Sequence, residues 1–154
     1  MKKIFNSFLI VAVMASVASI SSCTKTCDAG YEGSDCKTQI LTKYIKTGST
    51  VSEVCGSVTS TPYVVDVATG SDATHFRVKN LGGYSCTAGD YYVVLTVKDG
   101  TNSTIDAQTV CATAWSGTAV YSATAKTLTV NYTAVYTVAS VSHTDVCSAV
   151  IPVN

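Results

Sequence analysis

Leu128-Thr129-Val130-Asn131-Tyr132-Thr133-Ala134-Val135-Tyr136-Thr137-Val138 is the most regular stretch of the chain, and its reading decides the fold. Successive side chains of an extended strand point to opposite faces. Leu128, Val130, Tyr132, Ala134 and Tyr136 therefore share one face, and the residues between them, mostly Thr and Asn, share the other. Such alternation describes a strand with one buried side and gives no helical period.

The same reading extends in both directions. After a gap, His143 to Ile151 forms a further strand; before it, Gly117 to Ser122 is joined to Leu128 by a turn near Ala125-Lys126. Tyr91 to Lys98 turns inward at Tyr91, Val93, Leu95 and Val97. Lys98-Asp99-Gly100-Thr101 then makes an Asp-Gly hairpin turn into Thr104 to Val110. Earlier still, His75 to Leu81 sets Phe76 and Val78 against His75, Arg77 and Lys79. Pro62 to Ala68 places Tyr63, Val65 and Val67 together. The first segment, Tyr44 to Cys55, is interrupted at Gly48, a candidate bulge or sharp bend. Eight segments joined by short connections predict an all-β, antiparallel meander that closes into a small up-and-down barrel and so removes exposed edges. A β-sandwich is the alternative.

Composition bounds the rest. A chain of 154 residues predicts one domain. Lys2 and Lys3 belong to a leader, and the remainder carries eight basic against ten acidic residues. That balance is too weak to steer a charged partner, and no basic patch with interleaved aromatics supports nucleic-acid binding.

Met1 to Ser22 opens on Lys2-Lys3, continues through an apolar run from Ile4 to Ile20 and ends in small residues, the pattern of a secretory signal. Asn6, Ser7, Ser16 and Ser19 dilute it below the roughly 20 apolar residues of a membrane-spanning helix. Ile20-Ser21-Ser22-Cys23 resembles the lipobox of bacterial lipoproteins. The resemblance implies cleavage before Cys23, a diacylglyceryl group on its sulfur and an acylated amine. With Thr24 rather than Asp after the cysteine, it also implies the outer membrane. Anchoring by two or three acyl chains is effectively stable.

Seven cysteines make an odd set, and assigning Cys23 to lipid leaves six for disulfides. Cys27-Asp28-Ala29-Gly30-Tyr31-Glu32-Gly33-Ser34-Asp35-Cys36 resembles the last disulfide loop of an EGF-like module, which implies a Cys27–Cys36 bridge. Lys25 stands where a full module has another cysteine, so the loop reads as a truncated remnant serving as a stalk. In a closed meander the first and last strands are neighbours, which pairs Cys55 with Cys147 and leaves Cys86 with Cys111. The expected organisation is a signal peptide over 1–22, a lipidated N-terminus with its disulfide loop over 23–40, and a β-barrel domain over 41–154.

Lys43-Tyr44-Ile45 leading to Val51-Ser52-Glu53-Val54-Cys55, together with Leu128-Thr129-Val130-Asn131-Tyr132 and a cysteine in the last strand, resembles small lipocalin-like lipoproteins of Gram-negative bacteria. Gly48-Ser49-Thr50 replaces the Gly-x-Trp usual there. The resemblance implies a barrel that binds a small apolar ligand or a surface partner. Tyr63, Tyr91, Tyr132 and Tyr136 are the candidate cavity-lining residues, with ordinary packing as the competing reading. His75 and His143 with Asp72 and Asp145 are weighed as a metal or catalytic group, but no ligand spacing joins them. The expectation is a non-enzymatic envelope lipoprotein without cofactor or metal. The alternative is a structural or adhesive surface module with a filled core.

Overall fold

Alternation of β-branched and aromatic residues with Thr and Ser produces strands through most of the chain. The structure, a computed structural model, describes residues 26–154. The expected signal peptide and Cys23 lie outside the described residues. Two short strands, β1 (Tyr31–Glu32) inside the Cys27–Cys36 loop and β2 (Thr38–Gln39) just after it, pair as a small separate sheet. A short 3-10 helix, Ile40–Lys43, follows and buries Ile40 and Leu41.

The main sheet comprises β3 (Lys46–Val51), β4 (Glu53–Cys55), β5 (Val58–Thr59), β6 (Tyr63–Thr69), β7 (His75–Lys79), β8 (Tyr92–Val97), β9 (Asn102–Val110), β10 (Thr113–Ser122), β11 (Thr127–Val138) and β12 (Val141–Pro152). Its ten strands run β3-β6-β7-β8-β9-β10-β11-β12-β4-β5. Every neighbouring pair is antiparallel. The sheet curls into a half-barrel around one core. The fold is all-β, as the alternation predicts.

The count of ten differs from the expected eight because the first segment does not run as one strand. Tyr44 and Ile45 belong to the turn that leaves the 3-10 helix, where the backbone N–H groups of both bond to the Leu41 carbonyl. A register irregularity between Lys46 and Ser49 then marks the bulge at Gly48, whose N–H donates to Asp66 Oδ1 at 2.7 Å. Ser52 breaks the run into β3 and β4, and the chain doubles back at Gly56 to add β5.

The interior is dense. Leu128, Val130, Tyr132 and Ala134 of β11 are buried against Val65, Val67, Phe76, Val78, Val93 and Leu95. Burying each aliphatic side chain of this kind stabilises the fold by about 1.5–3 kcal/mol. The outer face of β11 carries Thr129, Asn131, Thr133 and Val135. Tyr136 is only half-buried, because β10 stops pairing with β11 at Ala114–Val135, and the β11–β12 hairpin overhangs the core. Gly117 is required by close approach: a Cβ there would stand 2.2 Å from the Asn131 carbonyl oxygen.

The sheet has two ends. At one lie the turns 70–74, 98–101 and 123–126 with the chain's last residues, joined by Val97 N–H to Thr74 O, Tyr121 N–H to Thr101 O and Val153 N–H to Lys126 O. At the other lie the connection 80–91, the β9–β10 turn and the β11–β12 turn.

The disulfide loop docks on the first end, where the sequence suggested only a stalk. Gly30, at φ +87°, packs so tightly that a Cβ would meet the Ala73 carbonyl oxygen at 2.3 Å. Lys43 Nζ donates to Glu32 Oε2 at 2.9 Å and to Gly100 O at 2.6 Å, and Ile40 N–H donates to Gly30 O at 2.9 Å.

Candidate functional site

A buried carboxylate is costly unless hydrogen-bonded, and β4 places one inside the sheet. Glu53 is 3% exposed, and its Oε2 accepts hydrogen bonds from the hydroxyls of Tyr63 (2.9 Å) and Tyr132. Tyr63 Oη in turn accepts from Gly82 N–H at 3.0 Å. The Tyr91 hydroxyl donates to Leu81 O and accepts from Tyr84 N–H at 3.1 Å. Nearer the overhang, Tyr84 (2.6 Å) and Tyr136 (3.1 Å) both donate to Asp145 Oδ2.

Trp115 packs among these groups. It is buried, its ring lies 5.3–6.1 Å from those of Tyr132, Tyr84 and Tyr91, and its Nε1–H donates to Val110 O at 3.3 Å. The four tyrosines proposed as cavity lining do come together, but as members of this packed network with Tyr84, Trp115 and the two carboxylates. Glu53, Tyr84 and Trp115 were missed. A glutamate in a strand pattern reads as outward-facing, and its two phenol partners lie on other strands, Tyr63 on β6 and Tyr132 79 positions away on β11.

Burial pushes these phenols up. Tyr91 rises to about 12, mainly by desolvation. Tyr132 and Tyr63 are raised by burial and then by the negative Glu53 beside them; Tyr84 is raised by burial and then by Asp145. Raised in this way, Tyr132 and Tyr63 stay hydrogen-bond donors to Glu53, Tyr84 to Asp145 and Tyr91 to the Leu81 carbonyl, an arrangement suited to rigidity.

The three disulfides join Cys27 to Cys36, Cys55 to Cys147 and Cys86 to Cys111. Cys55 and Cys147 are register partners across β4 and β12, with Cα atoms 4.1 Å apart. Glu53 lies close to both sulfurs, but a disulfide has no thiolate with which to hold a metal. Cys86 ties the connection 80–91 to Cys111 in the β9–β10 turn.

The histidines fall at opposite ends of the sheet. His75 Nδ1 lies 2.7 Å from Asp72 Oδ1 in the β6–β7 turn; hydrogen bonds from the Thr74 hydroxyl and from His75 hold the Asp72 carboxyl well below its usual range. His143 stacks on Tyr136, its cross-strand partner, with ring centres 5.5 Å apart. On the outer wall an uncharged, open groove of about 510 Å³ runs between Val54, Ser116, Asn131, Thr133, Val146 and Ser148. Compared with known protein families, curated proteins and solved structures, the chain matches none of them.

Proposed function

We propose that the protein is a non-enzymatic lipoprotein of the cell envelope, anchored in the outer membrane through acyl chains on Cys23, with a β-domain that takes a small apolar ligand or a surface partner. The lipobox-like Ile20-Ser21-Ser22-Cys23 and the preceding apolar run support the anchor. The same reading makes the half-barrel a closed, lipocalin-like barrel. Closure is supported by the two halves of the interrupted first segment, in which β3 pairs with β6 and β4 pairs with β12 with only Ser52 between them. Ser49 Oγ also donates to Pro152 O at 2.7 Å, linking β3 to the end of β12.

One observation favours a surface module over a ligand carrier. Tyr44, Phe76, Trp115 and Tyr132 are buried together with the aliphatic core, so large rings occupy the interior that a carried ligand would need. This supports a filled module that presents its outer surface. Native mass spectrometry of protein extracted from membranes in mild detergent tests it. The expected species has the mass of the mature, lipidated chain with three disulfides. A stoichiometric small molecule that survives extraction restores the ligand-carrier reading. Labelled palmitate entering the wild type but not Cys23→Ala checks the anchor, and equal incorporation ends the lipoprotein reading.

A further inference from the structure

The sheet is tethered close to one of its ends, and this constrains how it meets a lipid surface. Cys23 stands four residues before Cys27. A chain of four residues reaches about 14 Å at most. From Cys27 onward there is little slack: the Cys27–Cys36 bridge closes the loop, Gly30 is seated against the Ala73 backbone, and Lys43 ties Glu32 to the Gly100 carbonyl. By contrast, the β11–β12 turn lies at the far end of a strand of 12 residues, about 40 Å in contour at 3.3 Å per residue.

We propose that the end of the sheet formed by turns 70–74, 98–101 and 123–126 is a membrane-docking face, seated on phospholipid headgroups. The proposal rests on the reading that Cys23 carries lipid. The chemistry of this end fits a headgroup layer. Lys37, Lys98 and Lys126 are exposed there, where ammonium groups meet phosphates. The end carries both signs, because Asp28, Asp35, Asp72 and Asp99 are exposed there as well, Asp72 Oδ1 accepting from Thr74 N–H at 2.8 Å and Asp99 Oδ1 from Thr101 N–H at 2.7 Å and Asn102 N–H at 2.8 Å, and so it suits a zwitterionic layer that presents ammonium and phosphate together. The opposite end, with Asp145, Tyr136, His143 and the exposed Val138 and Val141, then points away from the bilayer.

The test uses the full lipidated chain in vesicles of phosphatidylethanolamine and phosphatidylglycerol doped with a lipid that carries a nitroxide on its headgroup. Trp115 is the sole native tryptophan and is buried, so it supplies a constant background. Ala125→Trp and Val138→Trp place a reporter at exposed positions of the two ends. Quenching several-fold stronger at position 125 than at 138 is the expected result. Equal quenching, which describes a domain lying on its side, or stronger quenching at 138 overturns the orientation while leaving the anchor intact. If the wild type fails to float with the vesicles, the anchor reading falls and the orientation falls with it.

Discussion

The hydroxyl of Tyr132 on β11 donates to the carboxylate of Glu53 on β4, a residue 79 positions earlier. Tyr63 on β6 donates to the same oxygen. One buried anion therefore joins three strands that are not consecutive in the chain, and it is satisfied by phenols rather than by a cation.

Removing a donor from a buried carboxylate leaves the charge under-satisfied, which costs about 1.5–3 kcal/mol. Tyr132→Phe should lower the unfolding free energy by that amount. Tyr63→Phe should cost less, since that ring is more exposed. Because both donors serve one oxygen, the double variant should be non-additive by at least about 0.5 kcal/mol. Urea titration of the four proteins checks the cycle, and strict additivity would show that the two bonds act independently.

Alkali should destabilise the fold before it touches most other contacts. A phenol whose folded pKa is raised keeps its stabilising contribution below the unfolded value of 10.0, then loses it as pH rises toward the folded value, about 12 for Tyr91. Tyr132, Tyr63 and Tyr84 shift in the same direction. The urea midpoint should be flat from about pH 8 to 9 and fall between about 10 and 12. Tyr91→Phe should fall less steeply over that interval, whatever its stability at pH 8.

Loss of the Cys55–Cys147 bridge should cost more than loss of Cys27–Cys36. The bridges span separations of 92 and 9 residues. Loop-closure entropy assigns about 4–5 kcal/mol to the longer and about 2–3 kcal/mol to the shorter. Cys55→Ala/Cys147→Ala and Cys27→Ala/Cys36→Ala, compared by thermal unfolding, should rank in that order. The reverse order would mean that the docked loop contributes more to the native state than its size suggests.

Two hairpin turns at the overhanging end run through the left-handed region without glycine. Cys111 and Ala112 have φ of 56° and 58°, and Ala139 and Ser140 have φ of 48° and 67°. Left-handed backbone costs an L-residue about 1–2 kcal/mol, and Asn-Gly suits such a turn best. Ala139→Asn/Ser140→Gly should therefore stabilise by about 1 kcal/mol, read as a higher denaturant midpoint with unchanged slope. A lower midpoint would show that another interaction holds the turn.

Alternation made the strands legible because burial on one face selects every second residue: Phe76 and Val78, Val93 and Leu95, and Leu128 to Ala134 all point inward as their pattern requires. The three cysteine pairings match those expected, Cys27–Cys36 from the resemblance of its loop to an EGF-like one and Cys55–Cys147 from the adjacency of first and last strands, which left Cys86 with Cys111. What local pattern does not carry is a partner supplied by a distant strand. Glu53 gives no sign in sequence that two phenols await it. Trp115 lies in Thr113–Ser116, a part of β10 not read as strand from the sequence, beside a register irregularity that blurs the period of two. The docking of the loop was equally hidden, because Gly30 reads as a turn residue whether or not Ala73 faces it.

The bridge between Cys55 and Cys147 makes most of the domain a covalent ring. Hydrolysis of any one peptide bond between those cysteines, including those in the exposed stretch 87–90 or at the tip Ala139-Ser140, opens the ring without dividing the molecule. A cut inside 27–36 is likewise spanned by its own bridge. Among the described residues before the ring, a protease can sever the domain from its N-terminal part only just ahead of Cys27 or between Cys36 and Cys55, and most of that second interval is tied into the 3-10 helix, β3 and β4. A chain nicked within 27–36 or between Cys55 and Cys147 therefore keeps its mass on a non-reducing gel and separates into fragments only when thiol is added.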